Sequence, residues 1–188
     1  MRLAILAGEL NHLNIMIGNI GNAYLESFTN EKVVFTAISK FKELESHTLV
    51  IVKVLYGLRS SGARFYEALA STLRKEGFVP SKADPDLWMC PAGSCYEYIC
   101  VYVDNLLVMM KEPSKFFENL SEKHGYKLKG VGDPEYHLGG NFGCDSDGTL
   151  FWRAKTYIAK SLKAYEHIFG SLPSKGHHVL LTKMITQS

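Results

Sequence analysis

The sequence predicts an α+β fold: an antiparallel sheet of the split-βαβ, ferredoxin-like kind with helices on one face, followed by a short C-terminal helical segment. Two observations carry that expectation. Apolar and aromatic runs at Tyr96–Val103 and Leu106–Met110 are separated only by Asp104 and Asn105, which reads as a tight β-hairpin. A periodic helical stretch lies on each side of it, the first stopped by Gly77 and the second opened by Pro113.

In chain order, Leu13–Ile20 is an apolar run that suggests a buried strand, with a helix as the competing reading. Lys32–Ala37 and Leu49–Leu55 are rich in β-branched residues and read as strands. Ser60 and Ser61 precede a stretch in which Tyr66, Leu69, Ala70 and Leu73 share one helical face. Pro80 to Pro85 reads as a loop. In the hairpin's first strand, Tyr96, Tyr98, Cys100 and Tyr102 share one face, and Ile99, Val101 and Val103 the other. With both faces substantial, that strand is expected at the centre of its sheet. Phe116, Phe117 and Leu120 form the buried face of the next helix, which Gly125 can end. Short strands follow up to Trp152, with a turn at Asp145–Gly148. A last helix is expected over Ala154–Phe169, with an apolar stripe of Ile158, Leu162, Tyr165 and Phe169. The tail from Ser171 reads as loosely ordered, apart from an apolar patch at Val179–Leu181.

With 188 residues, 46% hydrophobic and 21% charged, the chain is long enough for one sizeable core and is neither disordered nor collagen-like. The formal net charge is only +2, so charge alone does not predict a nucleic-acid partner. The four cysteines, Cys90, Cys95, Cys100 and Cys144, lack the paired spacing of a zinc site and read as reduced, small apolar side chains. No stretch reaches the length of a membrane helix, and Met1–Leu6 is too short for a signal peptide. The expected location is intracellular, in cytoplasm or nucleus, without a membrane.

The hairpin tip Tyr102-Val103-Asp104-Asn105 is the best candidate for chemistry. A carboxylate on a tight turn is held rigidly where a substrate can approach, and metal-assisted phosphoryl transfer uses such carboxylates to hold two Mg²⁺ ions about 3.5–4 Å apart. Asp-Asn is equally a good turn sequence with no further role.

The residues around the tip point further. Leu55-Tyr56-Gly57-Leu58-Arg59-Ser60-Ser61-Gly62-Ala63-Arg64-Phe65-Tyr66 resembles a block of copia-type retrotransposon reverse transcriptases. Tyr102-Val103-Asp104-Asn105 resembles that family's YVDD box with its last Asp changed, and Asn19-Ile20-Gly21-Asn22-Ala23-Tyr24-Leu25-Glu26 its DIGNAYLE block with the leading Asp changed. Glu76-Gly77-Phe78 to Asp86-Leu87-Trp88, Lys127-Leu128-Lys129-Gly130, Tyr136-His137-Leu138-Gly139 and Lys155-Thr156-Tyr157-Ile158 resemble later blocks in the right order. The likeness runs from about Leu6 to Gly170.

This resemblance implies an RNA-directed DNA polymerase that transfers nucleotides with two Mg²⁺ (or Mn²⁺) ions, acting on an RNA or DNA template-primer and dNTP. It implies a palm domain over residues 1–170 with a poorly ordered tail at 171–188. The catalytic positions are Asp104, the metal ligand, with Asn105 and Asn19 where the family has Asp; Lys129 matches a lysine that donates a proton to pyrophosphate. Tyr24 matches the aromatic under the sugar, with Ala23 leaving room for it; Tyr102, Gly57, Arg59 and Ser61 match nucleotide- and template-side positions. Read alone, Tyr24 fits a core aromatic, Gly57 a backbone break, and Arg59 and Lys129 solvated charges. One carboxylate plus a triphosphate is a poor cage for two cations, so a catalytically defective copy is expected. Only 18 residues precede Asn19, too few for the fingers, so most of that subdomain is expected to be missing and a partner chain supplying it stays open. A different function class, a non-catalytic module stacking single-stranded nucleic acid on Tyr98 and Tyr102, is the alternative.

Overall fold

The computed structural model describes residues 1–146, 148 and 150–173. The chain divides into two compact units, Met1–Pro134 and Glu135–Ser188.

The first unit runs α1 (Arg2–Leu10), β1 (Asn14–Ile20), β2 (Phe28–Thr36), β3 (Thr48–Lys53), α2 (Ser61–Lys75), β4 (Val79–Pro80), β5 (Leu87–Ala92), β6 (Cys95–Tyr102), β7 (Asn105–Met110), α3 (Pro113–Glu122) and β8 (Leu128–Gly132). A 3-10 turn at Ala23–Glu26 follows β1. Six strands form one sheet in the order β4-β5-β6-β7-β1-β8, and neighbours in it pair antiparallel. Strand β6 is interior, as its two apolar faces require. Pro80 sits in the edge strand β4, where a missing N–H costs no ladder bond. β2 and β3 make a separate two-stranded ribbon.

The core follows from strand parity. Ile99 and Val101 of β6 pair with Val108 and Leu106 of β7, so all four point to one face. Against that face lie Leu69 and Leu73 of α2 and Phe116, Phe117 and Leu120 of α3, as their helical spacing predicts, joined by Phe65 one turn before Leu69. Pro113 opens α3 at its first turn, and Gly77 and Gly125 lie just past α2 and α3 with φ of +90° and +75°. Gly18 of β1 is required by close approach: a Cβ there would stand 2.5 Å from the Phe117 ring.

One expectation needs correction. The helices do not all lie on one face. Leu107 and Met109 point away from the α2/α3 core, yet both are fully buried. The cover is α1, which contacts β6 and β7 and brings Gly8 against Met109. The sequence hides this helix because its inward residues are small: Ala4 and Gly8 are buried, while Leu3, Leu6 and Leu10 are exposed. Small residues let the helix sit close over a sheet whose own large side chains fill the gap.

The second unit holds β9 (Tyr136–His137), β10 (Gly140–Cys144), β11 (Leu150–Arg153) and α4 (Lys155–Phe169). Its sheet runs β11-β10-β9, antiparallel throughout. Gly140 is required by the Trp152 ring, which a Cβ would meet at 2.0 Å. The Asn141 side chain accepts from the Thr156 backbone N–H, capping the start of α4. The helix is where its periodicity places it, but none of its residues is buried and the Ile158, Leu162, Tyr165, Phe169 stripe is exposed. The turn at Asp145–Gly148 closes through a Gly148 N–H to Asp145 carbonyl bond of 2.9 Å. The patch expected at Val179–Leu181 lies outside the described residues. All four cysteines are free thiols, and burial pushes the Cys100 thiol up to about 11, so it stays protonated.

Candidate functional site at the hairpin tip

The tip is built by three strands. β6 and β7 turn at Val103-Asp104, with Tyr102 opposite Asn105. The sequence pattern alone puts the turn one residue later, at Asp104-Asn105. Both registers keep Ile99, Val101, Leu106 and Val108 on the core face, so hydrophobic alternation cannot choose between them. The third strand chooses. β1 lies beside β7 with Asn19 opposite Asn105, and the Ile20 N–H donates to the Asp104 carbonyl at 2.8 Å. Asn105 is thereby drawn into the ladder. Val103 is left in the turn with φ of +55°, a left-handed conformation that a β-branched residue adopts only under constraint.

The side chains at the tip form a directed chain. The Asn19 Nδ2 donates to Asn105 Oδ1 at 3.4 Å, and the Asn105 Nδ2 donates to Asp104 Oδ1 at 3.1 Å. The direction is set by chemistry. An ionised carboxylate only accepts, so Asn105 must turn its NH₂ to Asp104 and its carbonyl to Asn19. Tyr102 and Val103 beside it are 58% and 50% exposed, so the tip is open to solvent; Tyr98 further along the strand is half-buried.

Lys129 of β8 stands directly opposite Asn19. A shift in the β1–β8 register between Ile17 and Asn19 puts it there; the Ile17–Gly132 register, continued, would set Gly130 in that place. Its aliphatic stem packs over Gly21, where a Cβ would lie 2.8 Å from the Lys129 Cε. The structure thus brings Asn19, Asp104 and Asn105 together, with Lys129 next in register.

A second cluster follows β1. Ala23 is buried, and the half-buried Tyr24 ring meets Tyr56 edge-on at 4.5 Å and Phe65 at 6.1 Å. Sequence reasoning misses Tyr56, which is 66% exposed; its place beside Gly57 is the available signal. Gly57 has φ of +93° with open space around it, so the backbone conformation alone calls for glycine. Arg59 is exposed. Ser61 is buried and its hydroxyl donates to the Leu55 carbonyl at 2.5 Å, which ties the Leu55–Ser61 loop to the start of α2.

The site is thus an antiparallel sheet that carries one carboxylate on a solvent-open hairpin tip, flanked by a strand that supplies a second polar position. The family comparison is specific: the profile described as reverse transcriptase (RNA-dependent DNA polymerase) matches residues 3–169, and the chain belongs to that family. Its relatives narrow the kind. It is 28% identical over 126 residues to the retrovirus-related Pol polyprotein from transposon RE1 of Arabidopsis thaliana, covering 64% of this chain and 8% of that protein. It is 30% identical over 114 residues to a putative transposon Ty5-1 protein of Saccharomyces cerevisiae, covering 60% of this chain and 37% of that one. The resemblance read from the ordered motif blocks is thereby borne out, and the chain spans well under half the length of these relatives.

Members of this family generally use divalent metal ions. The tip's donor set does not fit a pair of them. It offers one carboxylate, and one oxygen of that carboxylate already accepts from Asn105. The Asn105 carbonyl is likewise taken by Asn19. No group of three or more His, Cys, Asp or Glu side chains converges anywhere among the described residues. Hard divalent cations are held through several oxygen ligands, carboxylates foremost. Among the described residues no helix is long and apolar enough to cross a membrane.

Proposed function

We propose that this chain is a segment of a copia-type retrotransposon RNA-directed DNA polymerase, its palm spanning residues 1–170, whose nucleotidyl-transfer centre is defective. One observation carries the reading: at the tip Asp104 is accompanied by two carboxamides, Asn105 bonded to it and Asn19 bonded to Asn105. On this reading Tyr24 and Ala23 lie under the nucleotide sugar, and Gly57 and Arg59 face template and incoming dNTP. Ser61 positions that loop through Leu55 rather than touching substrate. Lys129 stands beside Asn19, where a pyrophosphate leaving group would be protonated. The substrates are a template-primer and dNTP, and any basic fingers surface would come from chain outside this segment.

Primer extension on an RNA template with Mg²⁺ or Mn²⁺ tests it. The expected result is no incorporation above an enzyme-free control. Incorporation that Asp104→Ala abolishes would refute a defective centre.

A further inference from the structure

We infer that the Asn19–Asn105–Asp104 hydrogen-bond chain is a metal-independent clasp that fastens the hairpin tip to β1, doing without cations what a carboxylate cluster does only with them. The inference rests on the reading of the tip as a former two-metal centre and concerns what stands in its place.

The argument is one of donors and acceptors. Three carboxylates at positions 19, 104 and 105 would be acceptors only. Within hydrogen-bond reach of each other they repel, and they need a cation between them or a raised pKa. Each Asn replaces an acceptor-only group by one that both donates and accepts. With the two at 19 and 105, the run of donor to acceptor closes without any charge left to neutralise except that of Asp104. The backbone reinforces it on the same side, through the Ile20 N–H to the Asp104 carbonyl at 2.8 Å, while on the other side of β1 the Gly21 N–H ties that strand to β8 through the Lys127 carbonyl at 2.6 Å. The tip needs such a fastening because Val103 holds a left-handed backbone there. The two carboxamides therefore belong together. Asn105 alone, opposite a carboxylate at position 19, would present its NH₂ to one carboxylate and its carbonyl to the other. Only the pair gives an unbroken chain.

The test is thermal unfolding of the full chain in EDTA and in millimolar Mg²⁺, beside N19D/N105D and Asn105→Ala. The unaltered chain should melt at the same temperature in both. N19D/N105D should melt lower in EDTA by about 3–9 °C, from two lost hydrogen bonds in a chain of this size, and recover with Mg²⁺ as binding to the folded state takes hold. Asn105→Ala, which removes both links and adds no charge, should lower the melting temperature equally with and without Mg²⁺. Line broadening of the Asp104 and Asn105 amide signals by Mn²⁺ should be absent in the unaltered chain. The clasp is overturned if Mg²⁺ raises the melting temperature of the unaltered chain, if Mn²⁺ broadens those signals, or if Asn105→Ala changes nothing. Metal-dependent stabilisation without primer extension sinks the clasp alone. Asp104-dependent primer extension sinks the defective-centre reading, whatever the melting data show.

Discussion

Val103 shows how much of the site one residue can carry. Its φ of +55° places a β-branched side chain where Gly or Asn would be at ease, and half of its surface is exposed, so packing does not hold it there. The β1–β7 ladder holds it by claiming Asn105. Relieving the strain should stabilise the fold: Val103→Asn is expected to raise stability by roughly 1 kcal/mol, measurable by urea denaturation with an unchanged m-value. An unchanged or lower midpoint would mean that the turn is unstrained. The Tyr24–Tyr56 pair makes a related point. In sequence Tyr24 is legible as either a core aromatic or a sugar-facing one, and it meets a core ring, Phe65, and an exposed ring, Tyr56, at once.

Elements in this protein are set by close approach as much as by apolar area. Gly18 lets β1 lie against Phe117 of α3. Adding one methyl there forces the ring or the strand to move, so Gly18→Ala should cost about 1–3 kcal/mol, read as a lower midpoint in denaturant. A silent substitution would show that α3 can shift freely. The ends of α2 and α3 are fastened by charge. Glu76, largely buried, accepts from Lys123 at 2.7 Å and lies 2.8 Å from His124 Nε2. The His124 hydrogen bond first, then that of Lys123, holds the Glu76 carboxyl below its ordinary value of 4.5. A carboxyl lowered in the folded state adds stability that is fully present above pH 4.5 and lost as pH falls through the folded value. Stability should thus decline below pH 4.5, and Glu76→Gln should flatten that part of the profile. A profile identical in the variant would mean that these bonds contribute nothing. In the second unit, burial alone lowers the pKa of His137, so that ring is neutral in the folded state near neutral pH.

For the molecule as a whole, the balance of charge limits what the chain can do alone. Phosphate contacts by Lys and Arg supply most of the affinity for nucleic acid, and here 21 basic residues face 19 acidic ones. The isolated chain should bind a template-primer no tighter than the non-specific range, a Kd of about 10⁻⁴–10⁻⁶ M near physiological salt, and binding should weaken further as salt rises. Fluorescence anisotropy with labelled duplex checks this; nanomolar affinity at that salt would show a basic surface that the overall charge does not suggest. The bare stripe on α4 and the exposed apolar residues of β2 and β3, Val34, Phe35, Val50 and Val52 among them, also belong here. A lone two-stranded ribbon is marginal in water.

Most strands and helices from β1 to α4, the core faces of α2 and α3, the interior place of β6 and the family are all legible in the chain before it folds. Alternation, helical period and an ordered series of motif blocks are local or collinear signals, and the same signals single out Asn19, Asp104 and Asn105. Three things needed the folded molecule: the hairpin turn at Val103-Asp104, the helix α1 on the second face of the sheet, and Lys129 opposite Asn19. Each depends on a neighbour distant in sequence. The turn is chosen by β1, since both registers satisfy the hairpin's own pattern. The α1 cover relies on small residues, Ala4 and Gly8, that carry no apolar signature, and Lys129 owes its place to a register shift that no spacing announces.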